Sequence, residues 1–468
     1  MQNKTRMFKE AAARQLANTE SREFLNFFLP VLVDIRAIGL GSFSDMDGAL
    51  EAGREIRKSS VSRLGELLER FEENAKANGA KIYWAKDAEA ANEYVLDLIN
   101  AHEVPFVTKG KSMITEEIGL NEALVANGTE VFETDLGEFI IQLLGCPPFH
   151  IIGPAMNIPV DEISRIFVEK GVIDEPSDDP TVLGIAARHF LREKFEKMKL
   201  GITGVNMAIA ESGSILNIEN EGNIRFNKSS PEIQVSIMSL EKVVETLDEA
   251  MHMARVISSN GTGQKLSGYV SIDSGPRKEG ELDGPKELHI VILDNGRSGI
   301  YENPKTREVL QCVRCGACIN ICPVFRQIGG YPYGWAYTGP IGTLLNPLFL
   351  GLEDTKDLFG ACTLCKGCKS VCPGGIDHPS MIHYYRELAK RKGSLPETLG
   401  AKAMEFGAKH PSLWHTGASM ARGRINAEIG KGQESKRLAG WMEHRDLPEM
   451  PEESYRDAVK KGEGGEHG

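Results

Sequence analysis

Cys312-Val313-Arg314-Cys315-Gly316-Ala317-Cys318-Ile319-Asn320-Ile321-Cys322-Pro323 reads as C-x2-C-x2-C-x3-C-P, and Cys362 to Pro373 repeats the pattern with Cys362, Cys365, Cys368 and Cys372. Three thiolates at two-residue gaps wrap one face of a cubic iron–sulfur cluster. The fourth, displaced by three residues and turned away by proline, ligates the neighbouring cluster in two-cluster proteins. The spacing predicts two [4Fe-4S] clusters, one held by Cys312, Cys315, Cys318 and Cys372, the other by Cys362, Cys365, Cys368 and Cys322. Structural zinc sites use paired C-x2-C knuckles, for which a third cysteine at the same gap and a trailing C-P are wrong. Disulfides fit badly with an amino terminus, MQNKTRMFKEAAARQ, that carries no secretory pattern.

Eight of the nine cysteines fall between positions 312 and 372, so the change of composition past Asn303-Pro304 marks a domain boundary. Thirty-nine residues separate Cys322 from Cys362, and helical stretches flank both runs, notably Pro379 to Lys392. This favours a mainly α-helical two-cluster ferredoxin domain over 301–392, with a long inserted loop, over a compact β-rich ferredoxin. In that loop Tyr331, Tyr333, Trp335 and Tyr337 alternate with smaller residues. They either line a partner or quinone surface or exclude water from a cluster, and the second reading is preferred because cluster potential depends on exposure. Cys146, alone in Gly145-Cys146-Pro147-Pro148, reads as a small buried hydrophobe.

Upstream, residues 1–78 form a helical region, with apolar spacing such as Leu64, Leu67, Leu68 and Phe71 and an interruption at Gly39 to Asp47. From Gly79 short apolar strands alternate with amphipathic helices: strands at Lys81 to Ala85, Pro105 to Thr108 and Thr129 to Thr134, helices at Ala88 to Ala101 and Glu116 to Ala126. The alternation predicts an α/β domain over 79–300 with a largely parallel sheet. Further strands fall around Ile209, Ile215 to Ile218, Ile233 to Met238 and Leu288 to Leu293, with a helix from Leu240 to Ser258. Residues 393–468 read as a helical, polar tail with a disordered end, GEGGEHG.

The chain's 468 residues allow two or three domains, and 41% hydrophobic against 26% charged residues is ordinary globular composition. A formal charge of −12 disfavours duplex nucleic acid as a partner. The one long uncharged stretch, Gln327 to Leu352, contains Pro332, Pro340 and Pro347, which would break a membrane-spanning helix. A cytoplasmic protein is expected, free to associate with a membrane complex. Gly110-Lys111-Ser112 lacks the first glycine of a phosphate loop, and no G-x-G-x-x-G follows a strand, so no flavin or nicotinamide site is expected.

Lys109-Gly110-Lys111-Ser112-Met113, Glu116 to Asn121, Glu133 to Glu138 and Gly201 to Ser214 resemble the lactate-utilisation (LUD) domain. Asp294-Asn295-Gly296-Arg297-Ser298, the first cysteine run and Tyr337 to Gly342 continue the likeness. Over roughly residues 5 to 425 the chain resembles the lactate utilization protein B family, the iron–sulfur subunits of L-lactate oxidising complexes. The resemblance implies an α/β LUD domain, related to the NagB/RpiA/CoA-transferase-like fold, joined to the two-cluster ferredoxin domain. It also implies an electron-transfer role in oxidising L-lactate to pyruvate, and two partners: a cysteine-rich-domain subunit and a second LUD-domain subunit. Gly374 to His378, after the second run, departs from the family's more apolar segment.

Lys109 and Lys111 follow a strand, where an open α/β sheet presents its ligand crevice. With Glu211, in the second glycine-rich segment, they are candidate catalytic residues converging on an anion such as a hydroxy acid. Solvated surface lysines and a pair of tight turns at Gly201 to Ser214 are the plainer readings. Two other functions compete: an α/β enzyme acting on a CoA or sugar-phosphate ligand with the clusters as redox sensor, and a membrane-associated adaptor feeding quinone.

Overall fold

Asp and Asn side chains set the helix starts: Asn18 accepts from Ser21 N ahead of Thr19–Leu40, Asp87 from Ala90 N ahead of Ala88–Ala101, and Asp135 from Glu138 N ahead of Leu136–Leu144. The computed structural model describes residues 3–390, 395–432 and 446–461. The expected disordered end, GEGGEHG, lies outside them. Met1–Ala389 group as one compact unit and Lys390–Gly468 as a second. The second unit carries helices Leu395–Lys409, Pro411–Ile429 and Tyr455–Lys460.

Among the described residues the first unit contains ten strands: β1 (Lys81–Ala85), β2 (Phe106–Lys109), β3 (Glu130–Glu133), β4 (Leu200–Gly204), β5 (Met207–Ile209), β6 (Ser214–Glu219), β7 (Ile233–Ser239), β8 (Val243–Val244), β9 (Tyr269–Asp273) and β10 (Glu287–Leu293). Six form a wholly parallel sheet in the order β1-β10-β7-β4-β2-β3. Alternate residues of β10 feed two cores. Val291 and Leu293 pack with Val95, Ile99 and Leu124 on one face, while Leu288, Ile290 and Ile292 pack with Leu64, Leu68 and Phe71 on the other. Both faces are covered, as a parallel sheet requires. A smaller sheet, β8-β5-β6-β9, is mixed.

Three local expectations change. The helix expected over Glu116 to Ala126 breaks into Met113–Glu117 and Leu120–Ala126, because Gly119 turns left-handed at φ +64°. The helix expected from Leu240 is a 3-10 turn (Leu240–Lys242), then β8 alongside β5, and only then Leu247–Gly261. Gly201 to Gly204 is a buried central strand. A Cβ on Gly201 would stand 2.1 Å from Asn227 O and one on Gly204 2.3 Å from Ser112 Oγ, so these glycines permit close packing of backbone and side chain.

The inserted segment between the cysteine runs is mostly helix: Pro323–Ile328, Gly339–Leu350 and Leu352–Gly360. Its apolar residues Ile341, Leu344 and Leu345 share a core with Tyr333, Tyr337 and with Phe8, Leu25 and Leu29 of the amino-terminal helices. The small sheet meets the first cysteine run directly, since Met207, Ile209, Leu216 and Met253 cluster with Val313, Cys315, Ala317 and Val371. No helix among the described residues is long and apolar enough to cross a membrane.

Candidate functional site

The two cysteine runs are conformational copies. Arg314 and Leu364, each two residues after the first cysteine, are left-handed at φ +61° and +56°; Gly316 and Lys366, each four residues after it, are left-handed at +76° and +66°. This curl turns backbone N–H groups inward: Arg314 N donates to Cys312 Sγ and Leu364 N to Cys362 Sγ, both at 3.4 Å. Ile376 N donates to Cys372 Sγ, also at 3.4 Å, from the Gly374-Gly375 turn that had looked anomalous in sequence.

Thiol neighbours sort into two quartets. Cys318 lies among Cys312, Cys315 and Cys372, while Cys368 lies among Cys322, Cys362 and Cys365. Cys318 also feels Cys368, so the quartets adjoin. Burial raises the Cys322 and Cys372 thiols to about 11, so thiolate at these positions calls for a metal to supply compensating charge. Thiols in a curl of N–H donors fit the donor set of an iron–sulfur cluster.

Arg36, Arg57 and Arg314 stand around the first quartet, while Arg386 donates to Cys362 O beside the second. Arg57 donates to the carbonyls of Glu241, Leu310, Val243 and Gln311 at 2.5, 3.1, 3.2 and 3.3 Å. Arg36 donates to Val371 O at 3.3 Å and Asn260 Oδ1 at 2.8 Å. Arg314 pairs with Glu241 at 3.3 Å and lies over the Tyr337 ring. Burial pushes the Glu241 carboxyl up, yet Arg297 and Arg314 outweigh it and hold the group near about 2. None of these residues declared itself as buried in the sequence; only Arg297, in the Asp294 to Ser298 motif, stood out.

A cavity of about 320 Å³ opens where β2, β4 and β7 end. Lys111, Asn206 and Lys242 follow those strands into it, and Arg314 and Cys315 also line it. Lys111 donates to Ile152 O. The other sequence candidates lie elsewhere. Lys109 is fully buried, its ammonium 2.7 Å from Glu133 and 3.1 Å from Glu116. Glu211 is exposed and accepts from Leu247 N at 2.6 Å, capping a helix. The three do not converge. Neither plainer reading holds for Lys109, which is a structural ion-pair centre. Cys146 is half-buried beside the Tyr331 hydroxyl, and burial raises its thiol, as expected of an unreactive residue. Of the four loop aromatics Tyr333 and Tyr337 are buried, while Tyr331 and Trp335 are half-buried.

The parallel-sheet α/β core and the helical cysteine-bearing segment together define a LUD-domain iron–sulfur protein: residues 68–293 match the LUD domain and residues 308–376 the 4Fe-4S dicluster domain. Residues 379–463 match the carboxy-terminal region of lactate utilisation protein B. The chain is 39% identical to lactate utilization protein B of Anoxybacillus flavithermus, covering 87% of this chain and 88% of that protein. It is 40% identical to that of Geobacillus kaustophilus, over 86% of both chains. It belongs to the lactate utilization protein B family. A solved DUF162-family protein from Deinococcus radiodurans overlaps 49% of this chain and 98% of its own at 13% identity, with a TM-score of 0.27, too low to carry an argument.

Proposed function

We propose that this chain is the electron-carrying subunit of a complex that oxidises L-lactate to pyruvate in the cytoplasm, working with a cysteine-rich-domain subunit and a second LUD-domain subunit. The observation that carries the reading is the pair of adjoining cysteine quartets, one walled by Arg36, Arg57 and Arg314 and the other reaching the surface at Cys365. Clusters bound there supply one-electron steps, two in all, which matches the two electrons lactate loses. Cys312, Cys315, Cys318 and Cys372 would hold one, and Cys362, Cys365, Cys368 and Cys322 the other. The arginines offset the negative charge of a thiolate-bound cluster, and Tyr333 and Tyr337 keep water from the pair. Exposed Cys365 gives a partner subunit a short path to the second cluster. Family membership supports the lactate chemistry. Reconstitution tests it: omitting either partner should abolish lactate oxidation and leave the iron content of this chain intact. Full-rate oxidation of lactate by the isolated chain would sink the assignment.

A further inference from the structure

The cavity at the ends of β2, β4 and β7 differs from an ordinary polar crevice in how its charges are engaged. Its carboxylates are occupied. Glu219 accepts from Ile224 N at 2.7 Å and Arg225 N at 2.9 Å, Asp135 caps a helix through Glu138 N at 3.1 Å, and Glu221, at the exposed rim, accepts from Asn220 N at 3.2 Å. Its lysines are not. Lys111 donates to one backbone carbonyl, and Lys242 makes no hydrogen bond or ion pair among the described residues. Lys242 also stands near the Arg314 guanidinium, and the one carboxylate that acts on both, Glu241, is held by Arg314 at 3.3 Å and Arg297 at 2.9 Å, so Lys242 is left as the cation without a partner. An unpaired ammonium in such a place is costly until an anion arrives.

From this we infer that the cavity binds a small carboxylate, the anion of a 2-hydroxy or 2-oxo acid, through Lys111 and Lys242, with Arg314 as the third cation. The inference rests on the lactate reading for its choice of anion, and adds to it a binding site on this chain. The position is the one an open parallel sheet offers to ligands, outside the carboxyl ends of its central strands. Asn206 and Ser112 supply neutral donors beside the cations, suited to a hydroxyl or keto oxygen next to the carboxylate. Val313, Arg314 and Cys315 line the same cavity, so the bound acid would lie beside the first cysteine run.

A competing account makes Lys242 and Arg314 simple counter-ions to the first cluster. Lys111 separates the two accounts, because it comes from the end of β2 and bonds to Ile152 O rather than to a group of either cysteine run. Titration calorimetry on the full chain with its clusters in place, using L-lactate, pyruvate and inorganic phosphate as probes, tests the inference. Saturable binding of lactate or pyruvate is expected, weakened about tenfold or more in Lys242→Met and in Lys111→Met, as for loss of a charge-assisted hydrogen bond. Iron content and the paramagnetic signals of Lys111→Met should match those of the unaltered chain, and Lys111→Arg should recover part of the affinity. Binding of phosphate with none of either acid overturns the carboxylate class. No binding of any probe, or binding that ignores both substitutions, overturns the site. Neither result touches the electron-carrying role, which is read separately by lactate-dependent cluster reduction in the reconstituted complex.

Discussion

Arg297 and Glu117 meet in a bidentate pair of 2.8 and 2.7 Å, with both side chains buried. Glu117 follows β2 and Arg297 follows β10, so the pair ties two strands of the large sheet together. The Tyr337 hydroxyl donates to Glu117 Oε2 at 2.5 Å from the segment between the cysteine runs, and Arg297 Nε donates to Glu241 at 2.9 Å. One network thus joins the LUD sheet to the cluster-bearing half.

Removing one member leaves the others charged and buried. Glu117→Gln should destabilise the chain by about 3–5 kcal/mol, whereas Tyr337→Phe, which removes a single hydrogen bond, should cost about 1 kcal/mol. Denaturant unfolding of the cluster-loaded chain checks the ranking. Equal losses would mean that the network is not what joins the two halves.

Ligand sharing makes a separate prediction. If Cys372 completes the quartet of Cys312, Cys315 and Cys318, then Cys372→Ser should alter that cluster's signal in electron paramagnetic resonance of the reduced protein. The signal from the Cys362, Cys365 and Cys368 cluster should persist. Loss of the second signal alone would show that each run holds its own cluster.

Much of this arrangement was legible in the sequence, and the failures share a cause. β1 and the helix Ala88–Ala101 fall where their capping and apolar spacing put them, because those signals are local. β8 was missed because Val243-Val244 becomes a strand only by lying beside β5. Lys109 looked like a surface or ligand residue because nothing in its neighbourhood reveals Glu133, which arrives from the next strand. Lys242 and Arg314 were missed for the same reason: their meeting is a property of the fold. The cysteine spacing was legible as a pattern, and the left-handed residues that curl the runs were not, since Lys366 and Leu364 are poor candidates for that backbone.

Lys109 now predicts a stability effect. Lys109→Met strands Glu133 and Glu116 without their cation and should cost about 3–5 kcal/mol. A soluble, iron-replete variant of unchanged stability would return Lys109 to the list of ligand-binding candidates.

The same cluster carries a pH dependence. Burial, then the nearby Glu133 and Glu116 carboxylates, raise the Glu138 carboxyl to about 8. The folded chain therefore keeps a proton that the unfolded chain releases near the usual carboxylate range of about 4.3. Its contribution to stability is full below that range, falls as pH rises, and is gone above about 8. Glu138→Gln removes the decline, so the variant should gain on the unaltered chain across this window, most above pH 8. Parallel stability profiles from pH 5 to 9 would exclude it.

The two cysteine runs offer an internal control for the cost of their shared curl. At the fourth position after the first cysteine, the first run has Gly316 and the second has Lys366, both left-handed. A side chain there costs about 1–2 kcal/mol, offset in part by the greater freedom glycine has in the unfolded chain. Lys366→Gly should therefore stabilise its run by about 1 kcal/mol or less. Gly316→Ala should do the opposite and by more, since its Cβ would also stand 2.7 Å from Ile152 Cδ1. Iron release to a chelator reads both: slower from the second run in Lys366→Gly, faster from the first in Gly316→Ala. If Lys366→Gly instead speeds release, the lysine's charge beside exposed Cys365 outweighs the backbone strain, and the curl is maintained there for its electrostatics.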